Sequence, residues 1–253
     1  MEPIYELQLT SVEDVARAAG LISAFDIGRV SIPHKRKDRE ELCWARMLHE
    51  KLPNIRMNVH LSLRNLEPES LGIWIDTVRT VNPDELLVVS GNPRPKADIF
   101  SRWPELEGSG IPLTCSHTCD RPERLTDKLS LPGLQAICLQ ITDDESALRQ
   151  TCSAIQAAKP DLEIRSCLLI PNPQMRARLK FRPWHGLRLS DQYLDDQLYA
   201  ERQTGRLIAL YEELGIRPFV EAIPFGESGL TAADLAIHNS PIADDVQLSG
   251  WQI

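Results

Sequence analysis

Short apolar runs alternate with amphipathic stretches along the whole chain. The runs are 4–9, 27–32, 55–63, 85–90, 111–115, 134–141, 162–170 and 216–223. They carry little two-residue alternation, as expected of strands covered on both faces. Polar start signals open the stretches between them. Ser11 precedes Val12, Glu13 and Asp14, a cap with acidic residues in the first turn. Pro68 stands at the first position of the third helix. Ser190 and Asp191 open the longest helix, predicted to run to about Gly215, its C-terminal glycine. Before it, 174–189 reads as a basic loop or short helix with Arg176, Arg178, Lys180, Arg182 and Arg188.

Eight such strand-plus-helix units in 253 residues predict a (β/α)8 TIM barrel, a single domain over 1–253 with 239–253 as a C-terminal tail. A doubly wound open sheet is the alternative. It needs fewer strands, and the glycine-rich nucleotide turn it usually carries is absent from the sequence.

Composition narrows the function classes. With 42% hydrophobic and 25% charged residues the chain has globular chemistry, not that of a disordered or coiled-coil protein. A net charge of −8 provides no domain-wide positive field, which disfavours nucleic acid as a partner. The local cluster His34-Lys35-Arg36-Lys37 reads first as a solvated loop and second as an anion contact. No apolar run approaches the ~18 residues of a membrane span. The first residues show neither the basic stretch nor the apolar run of a signal peptide. The six cysteines form no CxxC pair and read as reduced thiols, mostly buried. A cytoplasmic location is the expectation, with the oligomeric state left open between a homo-oligomer and a complex with a partner protein.

In a barrel of this kind, chemistry sits where strands end and loops begin. The residues to weigh are therefore Glu6, Gln8, Ser31, His34, His60, Ser62, Ser90, Gly91, Asn92, His117, Gln140, Asn172 and Glu221. Glu6 lies between Tyr5 and Leu7 in an apolar strand. A carboxyl buried in apolar surroundings favours its neutral form, the form a general acid needs. The competing reading is a paired structural glutamate or one at a solvated edge. His60, inside another apolar strand, reads as a satisfied core histidine or a site residue. Gly91 ends a buried strand in a small-residue turn that allows close backbone approach to a flat ligand, or is an ordinary strand-to-helix turn. Cys115, His117 and Cys119 share one face of an extended strand, but a fourth metal ligand is missing and no metal is assigned. No P-loop, HExxH or GxSxG motif occurs. A Schiff-base lyase would need a lysine at a strand end; Lys96 and Lys180 fall in loops or helices.

Taken in order, five segments resemble the methylenetetrahydrofolate reductase family of flavin-dependent barrels. They are Tyr5-Glu6-Leu7-Gln8; Val59-His60-Leu61-Ser62-Leu63 followed by Pro68-Glu69-Ser70-Leu71; Val89-Ser90-Gly91-Asn92-Pro93; Leu139-Gln140-Ile141-Thr142-Asp143; and Leu169-Ile170-Pro171. The resemblance spans most of 4–238 with sparse identity. It implies hydride transfer from a reduced flavin, FAD, itself reduced by NAD(P)H, or directly from NAD(P)H, to 5,10-methylenetetrahydrofolate. Glu6 would be the general acid. Gln140 would contact the folate, with Met175 near the substrate. His60, Ser90, Gly91, Asn92, His117, Arg121 and Lys128 would hold the flavin. The sequence departs from the family at Pro33, Ser90, Asn92 and Met175 and has a short 122–140 connection. Most of these departures fall on the flavin side, whereas Glu6 is kept. The alternative is a repurposed, non-catalytic folate- or flavin-binding barrel acting as a partner protein.

Overall fold

The protein is described here by a computed structural model covering residues 1–34, 40–90, 98–184 and 186–221. The tail 239–253, Gly91, Asn92 and Lys96 lie outside the described residues. The eight strands are β1 Ile4–Glu6, β2 Arg29–Ile32, β3 Arg56–Ser62, β4 Glu85–Val89, β5 Leu113–His117, β6 Leu134–Leu139, β7 Glu163–Leu168 and β8 Arg217–Val220. All pairings are parallel, and β8 closes onto β1 through Ile4–Phe219 and Tyr5–Val220. The predicted (β/α)8 barrel is therefore the observed architecture.

The helices among the described residues are α1 Val12–Ala24, α2 Glu40–Lys51, α3 Leu71–Arg79, α4 Ile99–Glu107, α5 Glu123–Leu129, α6 Glu145–Ala158, α7 Pro173–Phe181, α8 Asp191–Asp195 and α9 Gln197–Leu214. Ser11 caps α1 as expected, accepting from the Asp14 amide at 3.1 Å. Pro68 begins a single 3-10 turn, Pro68–Ser70, that leads into α3. No helix among the described residues is long and apolar enough to cross a membrane.

Residues two apart on a strand share a face, and this splits the core in two. Outward residues such as Val30, Val59, Leu61, Val88 and Ile137 pack beneath the helices with Val15, Leu48, Trp74, Trp103 and Leu148. Inward residues Ile4, Leu87, Cys138, Cys167 and Phe219 form a second cluster. That inner cluster continues upward into Leu169, Met175, Leu179 and Tyr193, so the α7–α8 segment packs onto the barrel interior at its C-terminal end.

Two expectations need correction. Most strands are shorter than the apolar runs: β1 ends at Glu6, although the Leu7 amide still donates to the Ser31 carbonyl of β2 at 2.8 Å. The helix expected from Ser190 to Gly215 is two helices. Asp196 leaves helical geometry at φ −109, ψ 113, and its carboxylate restarts the chain as α9 by accepting from the Tyr199 amide at 3.0 Å. The C-terminal glycine is as predicted: Gly215 is left-handed at φ 67.

Candidate active site at the C-terminal mouth

Glu6 is the last residue of β1 and shares the inward face with Ile4. It is only 3% exposed, so the carboxyl stands inside the ring and not in solvent. His60 of β3 is a neighbour: its Nδ1 lies 3.9 Å from Glu6 Oε2. The His60 ring also meets the Phe219 ring at 5.7 Å between centroids. A carboxyl and an imidazole from β1 and β3 are thus held together against an aromatic wall from β8. This is the constellation of strand-end groups on which barrel chemistry is built.

Neighbouring strand ends add further groups. Cys167 of β7 stands 3.8 Å from Cys138 of β6, sulfur to sulfur. The hydrogen bond from Cys138, burial and Glu221 together push the Cys167 thiol well above its usual range, so it is an inert neutral thiol at this site. Sequence reasoning set Cys167 aside as one buried cysteine among several. Its inward position on β7 was the available signal.

Gln140 is half-buried one residue beyond β6. Gly186, at φ +87, lies over it: a Cβ there would stand 3.7 Å from Gln140 Oε1 and 3.1 Å from Thr118 Cγ2. The segment that carries Gly186 crosses the ends of β5 and β6. The Arg188 amide donates to the Ile141 carbonyl at 2.9 Å, and the Asp143 amide donates to the Arg188 carbonyl at 3.1 Å. Side chains tie it further, with Arg188 ion-paired to Asp120 and the Ser190 amide on Asp143 Oδ1 at 3.0 Å. Met175 of α7 is buried in the inner cluster, contributing to an apolar wall above the ring.

The basic stretch of 174–189 is largely structural. Buried Arg176 donates to the carbonyls of Tyr193 and Leu194 and to Gln197, and so terminates α8. Lys180 pairs with Asp195 at 2.5 Å.

Of the residues that the resemblance gives to a flavin, His60 stands beside Glu6, whereas His117, Arg121 and Lys128 do not converge on that pair. His117 shares the outward face of β5 with Cys115, which packs in the outer core, and is 2% exposed. Lys128 of α5 is buried, and its ammonium donates to the Ser116 carbonyl at 2.5 Å. Arg121 is exposed between β5 and α5, and Ser90 is half-buried just past β4. The adenine and phosphate contacts of a flavin dinucleotide therefore do not assemble among the described residues. The described members of this set do not by themselves fit the group, and no step below is routed through it. Among the described residues no cluster of three or more His, Cys, Asp or Glu is placed to hold a metal ion.

His117 itself carries a pH prediction. Burial, then the Lys128 charge, push its pKa down to about 4, against a weaker opposite pull from Asp120. The unfolded chain takes up this proton below about pH 6.5, whereas the folded chain resists until about pH 4. Stability is therefore full above pH 6.5 and falls as pH drops toward 4. Urea midpoints at pH 7 and pH 5 should differ less in His117→Leu than in the natural protein; equal differences would contradict this.

No protein-family model matches the chain, and no curated protein matches it significantly. Solved structures do share its architecture. Endonuclease IV from Thermus thermophilus superposes with a TM-score of 0.51 at 16% identity, covering 94% of this chain and 98% of that one. The 3,6-anhydro-D-galactonate cycloisomerase from Zobellia galactanivorans gives a TM-score of 0.51 at 8% identity, covering 78% of this chain and 56% of that one. The fold is a TIM barrel. At such identities the likeness carries the architecture and not the chemistry, which must be argued from the site.

Proposed function

We propose that the chain is a methylenetetrahydrofolate reductase-like enzyme of one-carbon metabolism. It takes a 5,10-methylene folate at the C-terminal mouth and uses Glu6 as proton donor. The observation that carries the reading is the Glu6 carboxyl, 3% exposed inside the ring and 3.9 Å from His60. The ordered strand-end residues around it support the folate assignment.

Glu6 protonates N10 of the folate, the bond from N10 to the methylene carbon breaks, and an iminium forms at N5. Hydride from a reduced nicotinamide adds to that carbon as the methyl product forms and the oxidised nicotinamide leaves. Glu6 recovers its proton from solvent. His60 stands beside the carboxyl, and Gln140 offers a paired donor and acceptor suited to the amide edge of a pterin. A low-dielectric wall from Phe219 and Met175 strengthens each polar contact inside the mouth.

A second reading is a barrel that binds the folate without turning it over. The inward-folded Lys128 and buried His117 favour it, because they remove cofactor contacts while leaving Glu6 and Gln140 in place. Calorimetric titration of the purified protein with 5,10-methylenetetrahydrofolate, paired with an NADH and NADPH oxidation assay, tests both. Saturable binding with nicotinamide oxidation supports the enzyme. Binding without oxidation selects the second reading, and no binding overturns both. A flavin absorption band in the purified protein would restore the flavin to the mechanism.

A further inference from the structure

The opposite, N-terminal mouth of the barrel holds a polar layer that the proposed chemistry does not use. An open cavity of about 420 Å³ there is lined by Arg29, Arg56, Arg165, Asp84, Glu85 and Glu163, among others. A fourth guanidinium, from Arg217, reaches the same layer by pairing with Glu163.

The carboxylates in this layer are already engaged. Both Glu85 oxygens accept from Arg165, and Glu85 Oε1 also accepts from Asn58 Nδ2 at 3.2 Å. Glu163 accepts from Arg165 at 2.9 Å and from Arg217. Asp84 Oδ2 accepts from the Met57 amide at 2.7 Å. Arg217 further donates to the Glu2 carbonyl at 2.7 Å.

Arg29 is left differently. Its Nε and Nη1 atoms have almost no exposed surface and no hydrogen-bond partner among the described residues. No carboxylate among the described residues pairs with Arg29 or with Arg56. Burial, then the charges of Arg217 and Arg165, hold the Arg29 guanidinium below its usual range, with Glu163 pulling the other way. A charged donor desolvated without an acceptor is costly, and four like charges around one hollow add to that cost. An anion relieves both at once, and planar guanidinium forks match the oxygens of a phosphate.

The geometry points to an oxyanion site at the N-terminal mouth, in which Arg29 and Arg56 take a phosphate or a small phosphate monoester. The cavity leaves space for an organic body behind the anionic group. Because this mouth is at the far end of the barrel from Glu6, the ligand stabilises or regulates the barrel rather than reacting in it.

The test is calorimetric titration with inorganic phosphate and, separately, with glycerol phosphate, with chloride added to hold ionic strength constant. The natural protein should show saturable binding of one equivalent of at least one probe. Arg29→Met should weaken it at least tenfold. Tighter binding of the monoester identifies a phosphorylated metabolite as the source, and equal or tighter binding of phosphate identifies the free ion. No saturable heat with either probe, or unchanged affinity in Arg29→Met, overturns the proposal. Should Arg29→Met fail to fold, Arg56→Gln, at an exposed position, decides the matter: several-fold weaker binding supports the site and unchanged binding overturns it.

Discussion

Glu6→Gln is expected to lower nicotinamide-dependent turnover of the methylene folate by about 10²–10⁴-fold, the range for removing a positioned general acid. The substitution keeps size and hydrogen-bonding capacity and removes only the proton to be transferred. Folate affinity should therefore stay within a few-fold of the natural value, so that the loss falls on kcat rather than KM. The side chain is 3% exposed inside the ring, and water should not easily replace it as donor. Steady-state rates and a binding isotherm on the same sample give the two readouts. An unchanged kcat would remove Glu6 from the chemistry. A matched loss in binding and unfolding temperature would make it a structural group.

The second large effect concerns stability. Arg165→Met should destabilise the fold by about 3–5 kcal/mol, because it leaves the buried Glu85 charge without its guanidinium. Arg165 is 2% exposed and grips Glu85 with two hydrogen bonds across the interior, from β7 to β4. Burial would raise the Glu163 carboxyl, but Arg165 and Arg217 overcome it and bring it down to about 2. A double replacement, Arg165→Met with Glu85→Leu, should recover part of the loss, since removing both members of a buried pair costs less than removing one. Urea unfolding of the single and double variants measures this. A double variant no more stable than Arg165→Met would show that the pair contributes through packing alone.

The barrel was legible because short apolar runs alternate with amphipathic stretches, three of which carry a clear helix start signal at Ser11, Pro68 and Ser190. Glu6 and His60 could be singled out as polar residues at the ends of such runs. Their approach to one another could not be read, since it depends on the register of β1, β2 and β3 around a closed ring. The polar layer was hidden for a related reason. Arg165 sits inside a mostly apolar run, and its partner Glu85 is 80 residues earlier in the chain. Nothing local marks the two as a pair. The break at Asp196 was masked by an amphipathic pattern that continues through it, although an aspartate three residues before the Tyr199 amide is a recognisable cap once a break is considered. The roles expected for His117 and Lys128 were carried by resemblance alone. A strand's two faces decide which side of the wall a residue serves, and His117 lies on the outer one, alongside Cys115.

The strip of chain from Gly186 to Ser190, laid across the tips of β5 and β6, covers that part of the rim. On that flank it stands over Gln140 as a shutter. Because that shutter is fastened by Asp120 and Asp143 as well as by its own backbone, evolution can reshape which molecules are admitted by editing a few loop residues. The proton donor and the ring that holds it need not change.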